Sequence, residues 1–95
     1  MYAVVIRAQG QPGKIDTAAS IWRDSVIPVL KQRKGFKGGF FMTDPDTGKG
    51  ISITFWETEA DAKEGEASGL YKERIAKFTS VLTEPPTREV YEVQI

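Results

Sequence analysis

The chain has 95 residues and a mass of 10.6 kDa, room for one domain over residues 1–95 whose folding removes only about two-thirds of the unfolded surface from water. Thirteen Lys and Arg balance thirteen Asp and Glu, so the net charge is zero and the pI about 6.3; no overall field holds a polyanion, and nucleic acid is not expected as a partner. The absence of Cys and His excludes disulfides, thiol nucleophiles, cysteine-ligated metals, imidazole bases and histidine-ligated haem.

Hydrophobic residues at 40% and charged residues at 27% are ordinary for a folded domain. The apolar run Ala3-Val4-Val5-Ile6 stops at Arg7, short of a signal segment and of the ~20 residues of a membrane span. This predicts a cytoplasmic protein with no membrane segment.

In chain order, Tyr2 to Ala8 is rich in β-branched and aromatic residues and too short for a helix, which predicts a first strand. Gly10-Gln11-Pro12-Gly13 breaks it. Ile15, Ala18, Ala19, Trp22, Val26, Val29 and Leu30 then recur at three- and four-residue spacing, predicting an amphipathic helix from about Lys14 to Lys34. Lys31, Arg33 and Lys34 complement the dipole at its end, and Gly35 supplies a left-handed cap. Pro28 removes one backbone hydrogen bond and predicts a kink between Asp24 and Pro28. Phe36 to Thr43 and Lys49 to Glu57 read as strands joined by the turn formers Asp44-Pro45-Asp46-Thr47-Gly48. Thr58-Glu59-Ala60-Asp61 fits a capping box, Thr58 accepting from the Asp61 backbone and the Asp61 carboxylate reaching back. Ala67, Leu70, Tyr71, Ile75, Phe78 and Leu82 fall on one face of the helix that follows, and Gly65 and Gly69 predict a bend or break in it. Pro85-Pro86 ends the helical region, and Arg88 to Ile95 alternates as a last strand.

The order strand, helix, strand, strand, helix, strand is that of an α+β, ferredoxin-like domain, a four-stranded antiparallel sheet with both helices on one face. Such a sheet is normally polar on its bare face. Here Tyr2, Val4 and Ile6 alternate with Ala3 and Val5, Phe36 and Phe40 with Phe41, Ile51, Ile53 and Phe55 with Trp56, and Val90 with Tyr91 and Val93. Both faces are therefore apolar. A monomer of this size covers only one, which predicts a homodimer whose sheets pack face to face.

Trp22, on the inward face of the first helix, and Trp56, at the end of the third strand, suit either core packing or the wall of a cleft. Tyr71 reads as a core aromatic with its hydroxyl toward solvent, or as a substrate contact. Arg74 lies between Leu70/Tyr71 and Phe78 on the face toward the sheet. A charge so placed is costly without a partner: it pairs with a carboxylate such as Glu57, snorkels to the surface, or holds the oxyanion of a bound phenolate or enolate. Arg7, in the first strand, poses the same choice between solvation and anion contact. Phe41 follows Gly38-Gly39, where the missing side chains admit a ligand or mark a bulge. Trp22, Phe41 and Arg7 are thus the expected substrate contacts. Gly10-Gln11-Pro12-Gly13 lacks the pattern of a phosphate loop, and Asp44 and Asp46 are explained by the turn, so neither nucleotide nor metal is expected.

Trp22, Pro28, Gly35-Phe36, Phe55-Trp56-Glu57-Thr58-Glu59-Ala60 and Tyr91-Glu92-Val93 resemble the antibiotic biosynthesis monooxygenase superfamily of dimeric α/β barrels, over nearly the whole chain. That family includes cofactor-independent oxygenases of aromatic polyketides or quinols as well as haem-degrading enzymes. The haem-degrading pattern places a His, a Trp and an Asn where this chain has Ile75, Gly65 and Arg7, so haem is not expected. Resemblance to the oxygenases implies Trp56, Tyr71 and Arg74 as catalytic residues around a small phenolic substrate, without haem, flavin or metal, although the chain contains no Asn to match the catalytic Asn of those enzymes. Two readings follow: a cofactor-independent monooxygenase, or a non-catalytic ligand-binding or structural homodimer of the same fold. A closed core filled by Trp22, Phe55 and Phe78 belongs to the structural form, and an open cavity lined by Trp56 and Tyr71 is incompatible with it.

Overall fold

The computed structural model describes residues 1–95. Strands β1 (Tyr2–Gln9), β2 (Phe36–Thr43), β3 (Lys49–Trp56) and β4 (Thr87–Glu92) form one sheet in the order β2-β3-β1-β4, each neighbouring pair antiparallel. Helical segments α1 (Ile15–Ile21), α2 (Ile27–Leu30), α3 (Glu59–Ala67) and α4 (Leu70–Ala76) cover one face, giving the expected α+β, ferredoxin-like arrangement. No helix is long and apolar enough to cross a membrane.

β1 is the spine because it pairs on both sides: Val4 lies between Thr54 and Val90, and Ile6 between Ser52 and Arg88. Alternation then sends Val4, Ile6 and Trp56 into one core with Ala18, Val26, Leu30, Ala62, Phe78 and Val81. Full burial of each large apolar side chain contributes roughly 1.5–3 kcal/mol. The opposite face carries Ala3, Val5, Ile51, Ile53 and Phe55 in the middle and the exposed Phe40, Met42 and Tyr91 around them. Strict alternation puts Phe36 with Phe40, but the register shifts between Phe36 and Gly38. This bulge turns Phe36 to the helix face, where it meets Trp56 edge-on at 5.3 Å and shares the core with Phe41.

The first helix deforms one turn earlier than Pro28 alone suggests. Trp22–Val26 forms a π turn closed by the Ile27 N–H to the Trp22 carbonyl. The helix restarts at Ile27, so Pro28 occupies the first turn, where its missing N–H is not needed. The inserted residue rotates Val26 and Leu30 inward, and both are almost completely buried. Regular helix ends at Leu30, not at Lys34, and turns lead to Gly35 at φ +80°.

Thr58 caps α3 by accepting from the Asp61 N–H at 3.1 Å. The Asp61 carboxylate does not reach back; it packs against the Cα of Gly35, which leaves room for no side chain. The second helix breaks at Gly69, φ +83°, as its glycines predict, and stops at Ala76. Ala67 is exposed, and Leu82 lies beyond the helix, bridging to Gly10. Both depart from the single-face pattern, because after the break α4 follows a new axis and the chain from Lys77 runs in turns that seat Phe78 and Val81. The last strand ends at Glu92, with one further bond from the Val93 N–H to the Met1 carbonyl.

Two glycines give opposite expectations. Gly48, buried at φ +79°, would place a Cβ 2.3 Å from the Gly10 carbonyl oxygen, so Gly48→Ala should cost at least about 2 kcal/mol. Gly65 sits inside α3 with no neighbouring atom in the way, so Gly65→Ala should gain about 0.5–1 kcal/mol. Chemical denaturation of both variants beside the parent chain checks the pair.

Candidate functional site

Small side chains at the centre of the sheet leave a cleft beneath the second helical region. Val4 and Thr54 form its floor and Trp56 one end, α3 contributes Ala62 and Gly65, and α4 contributes Tyr71 and Arg74. Its volume is about 450 Å³, within the range of small-molecule sites. Phe55 is on the other face of the sheet, paired with Ala3, and does not fill it.

Trp56 is buried, and its indole N–H donates to Thr54 Oγ1 at 2.9 Å. It therefore offers the cleft an apolar wall rather than a donor. Tyr71 is partly buried, and burial raises its phenol above the ordinary range, with Arg74 and Arg88 opposing. Arg74 has no carboxylate partner: Glu57 pairs with Lys37 at 3.7 Å instead. Burial pulls its guanidinium down to about 10, Arg88 adding to that and Tyr71 opposing it. It remains a cation at neutral pH, lying 5.5 Å from the centre of the Tyr71 ring.

Arg88 completes the group and was not among the expected site residues. Its guanidinium lies 5.3 Å from the same ring. Nη1 meets Glu66 at 2.8 Å, Nη2 donates to the Ala62 carbonyl at 2.8 Å, and Nε has no partner. The signal was in the alternation: Arg88 is in phase with Val90, and both face the helices.

The expected substrate contacts separate. Trp22 and Phe41 stack at 5.7 Å with planes 12° apart and line a smaller apolar space of about 60 Å³ beside the cleft, with Arg74 bordering both. Arg7 belongs to neither. It shares the outer face with Ala3 and Val5, and it pairs with Glu89 at 3.2 Å. The sheet stands between it and the cleft, so the expectation that it touches the same substrate is corrected. No three carboxylates converge to hold a metal ion.

A cation whose pKa falls from the ordinary arginine range to about 10 on folding holds its proton less tightly in the folded state. Its contribution therefore opposes folding below about pH 10 and is relieved as the pH rises from there toward the ordinary arginine range. Arg74→Met should leave stability at pH 7 equal or raise it by up to about 1 kcal/mol. Thermal melts check this; a fall of several degrees would make Arg74 a structural strut.

The family model for antibiotic biosynthesis monooxygenase matches residues 1–77. No curated protein matches the chain in sequence. Among solved structures, the Rv0793 protein of Mycobacterium tuberculosis is similar at 18% identity and a TM-score of 0.75, covering 99% of this chain and 95% of that one. The NE2512 protein of unknown function from Nitrosomonas europaea has 20% identity, a TM-score of 0.78 and coverages of 99% and 89%. A Streptomyces coelicolor monooxygenase from ActVA-Orf6, in complex with nanaomycin D, has 13% identity, a TM-score of 0.79 and coverages of 98% and 87%. These likenesses agree with the fold, and the match over residues 1–77 makes the chain a member of the antibiotic biosynthesis monooxygenase family.

Proposed function

We propose that the protein is a cofactor-independent monooxygenase of a small aromatic or quinol-type substrate and works as a homodimer. The observation that carries this reading is the cleft itself, an apolar wall at Trp56 facing a guanidinium, Arg74, that has no carboxylate of its own. A bound phenolate or enolate supplies the missing counter-charge. Family membership supports the reaction class, and the nanaomycin D complex of the Streptomyces monooxygenase supports an aromatic ligand.

In this reading the substrate ring lies along Trp56 with its oxygen toward Arg74 and the Tyr71 hydroxyl. Asp61 and Glu64 line the same cleft and are the carboxylates to which the proton can pass. Deprotonation raises the ring's ability to give an electron to O₂, and the Arg74 cation favours the deprotonated form. For an anthrone, the methylene carbon becomes a carbonyl: one oxygen atom bonds to carbon, and the two hydrogens leave with the other as water. The substrate supplies the reducing electrons.

Oxygen uptake by the purified, metal-free protein with quinols, anthrones and naphthols tests the reading. Arg74→Ala should lower kcat/KM by about 10²-fold, and Trp56→Ala should lower uptake with the fold retained. Uptake unaffected by Arg74→Ala contradicts the assignment, and saturable tryptophan quenching without uptake favours a binding protein.

The apolar outer face supports the homodimer, because Phe40, Met42 and Tyr91 stand exposed there around Val5, Ile53 and Phe55. Sedimentation at micromolar concentration should give twice the chain mass, and Phe40→Glu should give the monomer with unchanged circular dichroism. A parent chain sedimenting at 10.6 kDa contradicts the dimer.

A further inference from the structure

We propose that Arg88 makes the cleft a site for aromatic carboxylates, its free Nε–H together with the Arg74 guanidinium holding a carboxylate carried by the substrate. The inference rests on the reading of the cleft as an aromatic site.

The Arg88 side chain is nine-tenths buried and lines the cleft. Two of its nitrogens have structural work: Nη1 on Glu66 and Nη2 on the Ala62 carbonyl tie β4 to α3. Nε is buried with no acceptor. A buried donor left bare costs about 1–3 kcal/mol, and in a native fold such a group calls for an explanation. Nε is shielded from solvent, so a ligand acceptor reaches it when the Arg88 side chain turns toward the cleft it lines.

The charge around it points the same way. Glu66, the one carboxylate on Arg88, is mostly exposed at 65% and is screened by solvent. Arg74, on the same Tyr71 ring, has no carboxylate at all. Two guanidiniums within 5.5 Å of one ring centre repel each other until an anion lies against them. A carboxylate is planar, accepts two parallel N–H bonds and fits a guanidinium edge. A phosphate is disfavoured, because its third oxygen needs further donors. The ligand class is therefore a phenol or quinol bearing a carboxylate.

Isothermal titration at pH 7 with 1-hydroxy-2-naphthoate and with uncharged 1-naphthol tests the assignment. The parent chain should prefer the carboxylate by at least about tenfold, and Arg88→Gln should reduce that preference below about threefold. Glu66→Gln, which leaves Arg88 less neutralised, should increase the preference, and it decides the matter if Arg88→Gln does not fold. Naphthol binding with no preference in the parent, a preference surviving Arg88→Gln, or one not increased by Glu66→Gln overturns the carboxylate assignment and leaves the aromatic reading standing. Binding of neither probe overturns both.

Discussion

The structure turns on positive charge placed under a helix without enough negative charge to meet it. Arg74 and Arg88 both approach the Tyr71 ring, and between them they have one exposed carboxylate, Glu66. Desolvating a cation is costly, and the fold bears this cost twice within one cleft. The ring face repays part of it through cation–π attraction. In the proposed function, an anionic ligand offsets more of it.

The rest of the fold serves to hold that cleft open. The centre of the sheet presents Val4 and Thr54 rather than larger residues, so α3 and α4 do not close down on it. Gly69 lets the chain turn between the two helices, which aims Tyr71 and Arg74 inward while α3 stays capped by Thr58. Arg88 fixes β4 to α3 through the Ala62 carbonyl. The larger aromatics lie at the borders: Trp56 with Phe36, and Trp22 with Phe41.

Element order and strand positions were legible because they rest on local chemistry: β-branched runs, the Asp44–Gly48 turn, the Thr58 cap and the glycine break. The ferredoxin-like arrangement followed from the order of the elements, and the two apolar faces from alternation. What escaped was set by single-residue insertions and long-range packing. The π turn at Trp22–Val26 and the bulge beside Phe36 each add one residue to a regular period, and a periodic reading carries the wrong face past such a point. Trp56, Tyr71 and Arg74 line one cleft, and all three sit on regular elements. Arg7 was misplaced although its parity with Ala3 and Val5 was readable, and Arg88 was passed over although its parity with Val90 was equally so. For Arg7, the attraction of a charge in an apolar strand outweighed the question of which face it occupied.

The central claim is that the cleft holds its substrate as an anion against Arg74. The most direct measurement is a spectrophotometric pH titration of 1-naphthol bound to the protein, compared with the free compound. Stabilisation of the bound naphtholate should lower its pKa by at least about one unit, equivalent to about 1.4 kcal/mol in favour of the anion. A bound pKa equal to or above that of free naphthol would mean that the site prefers the neutral form, and would contradict the account.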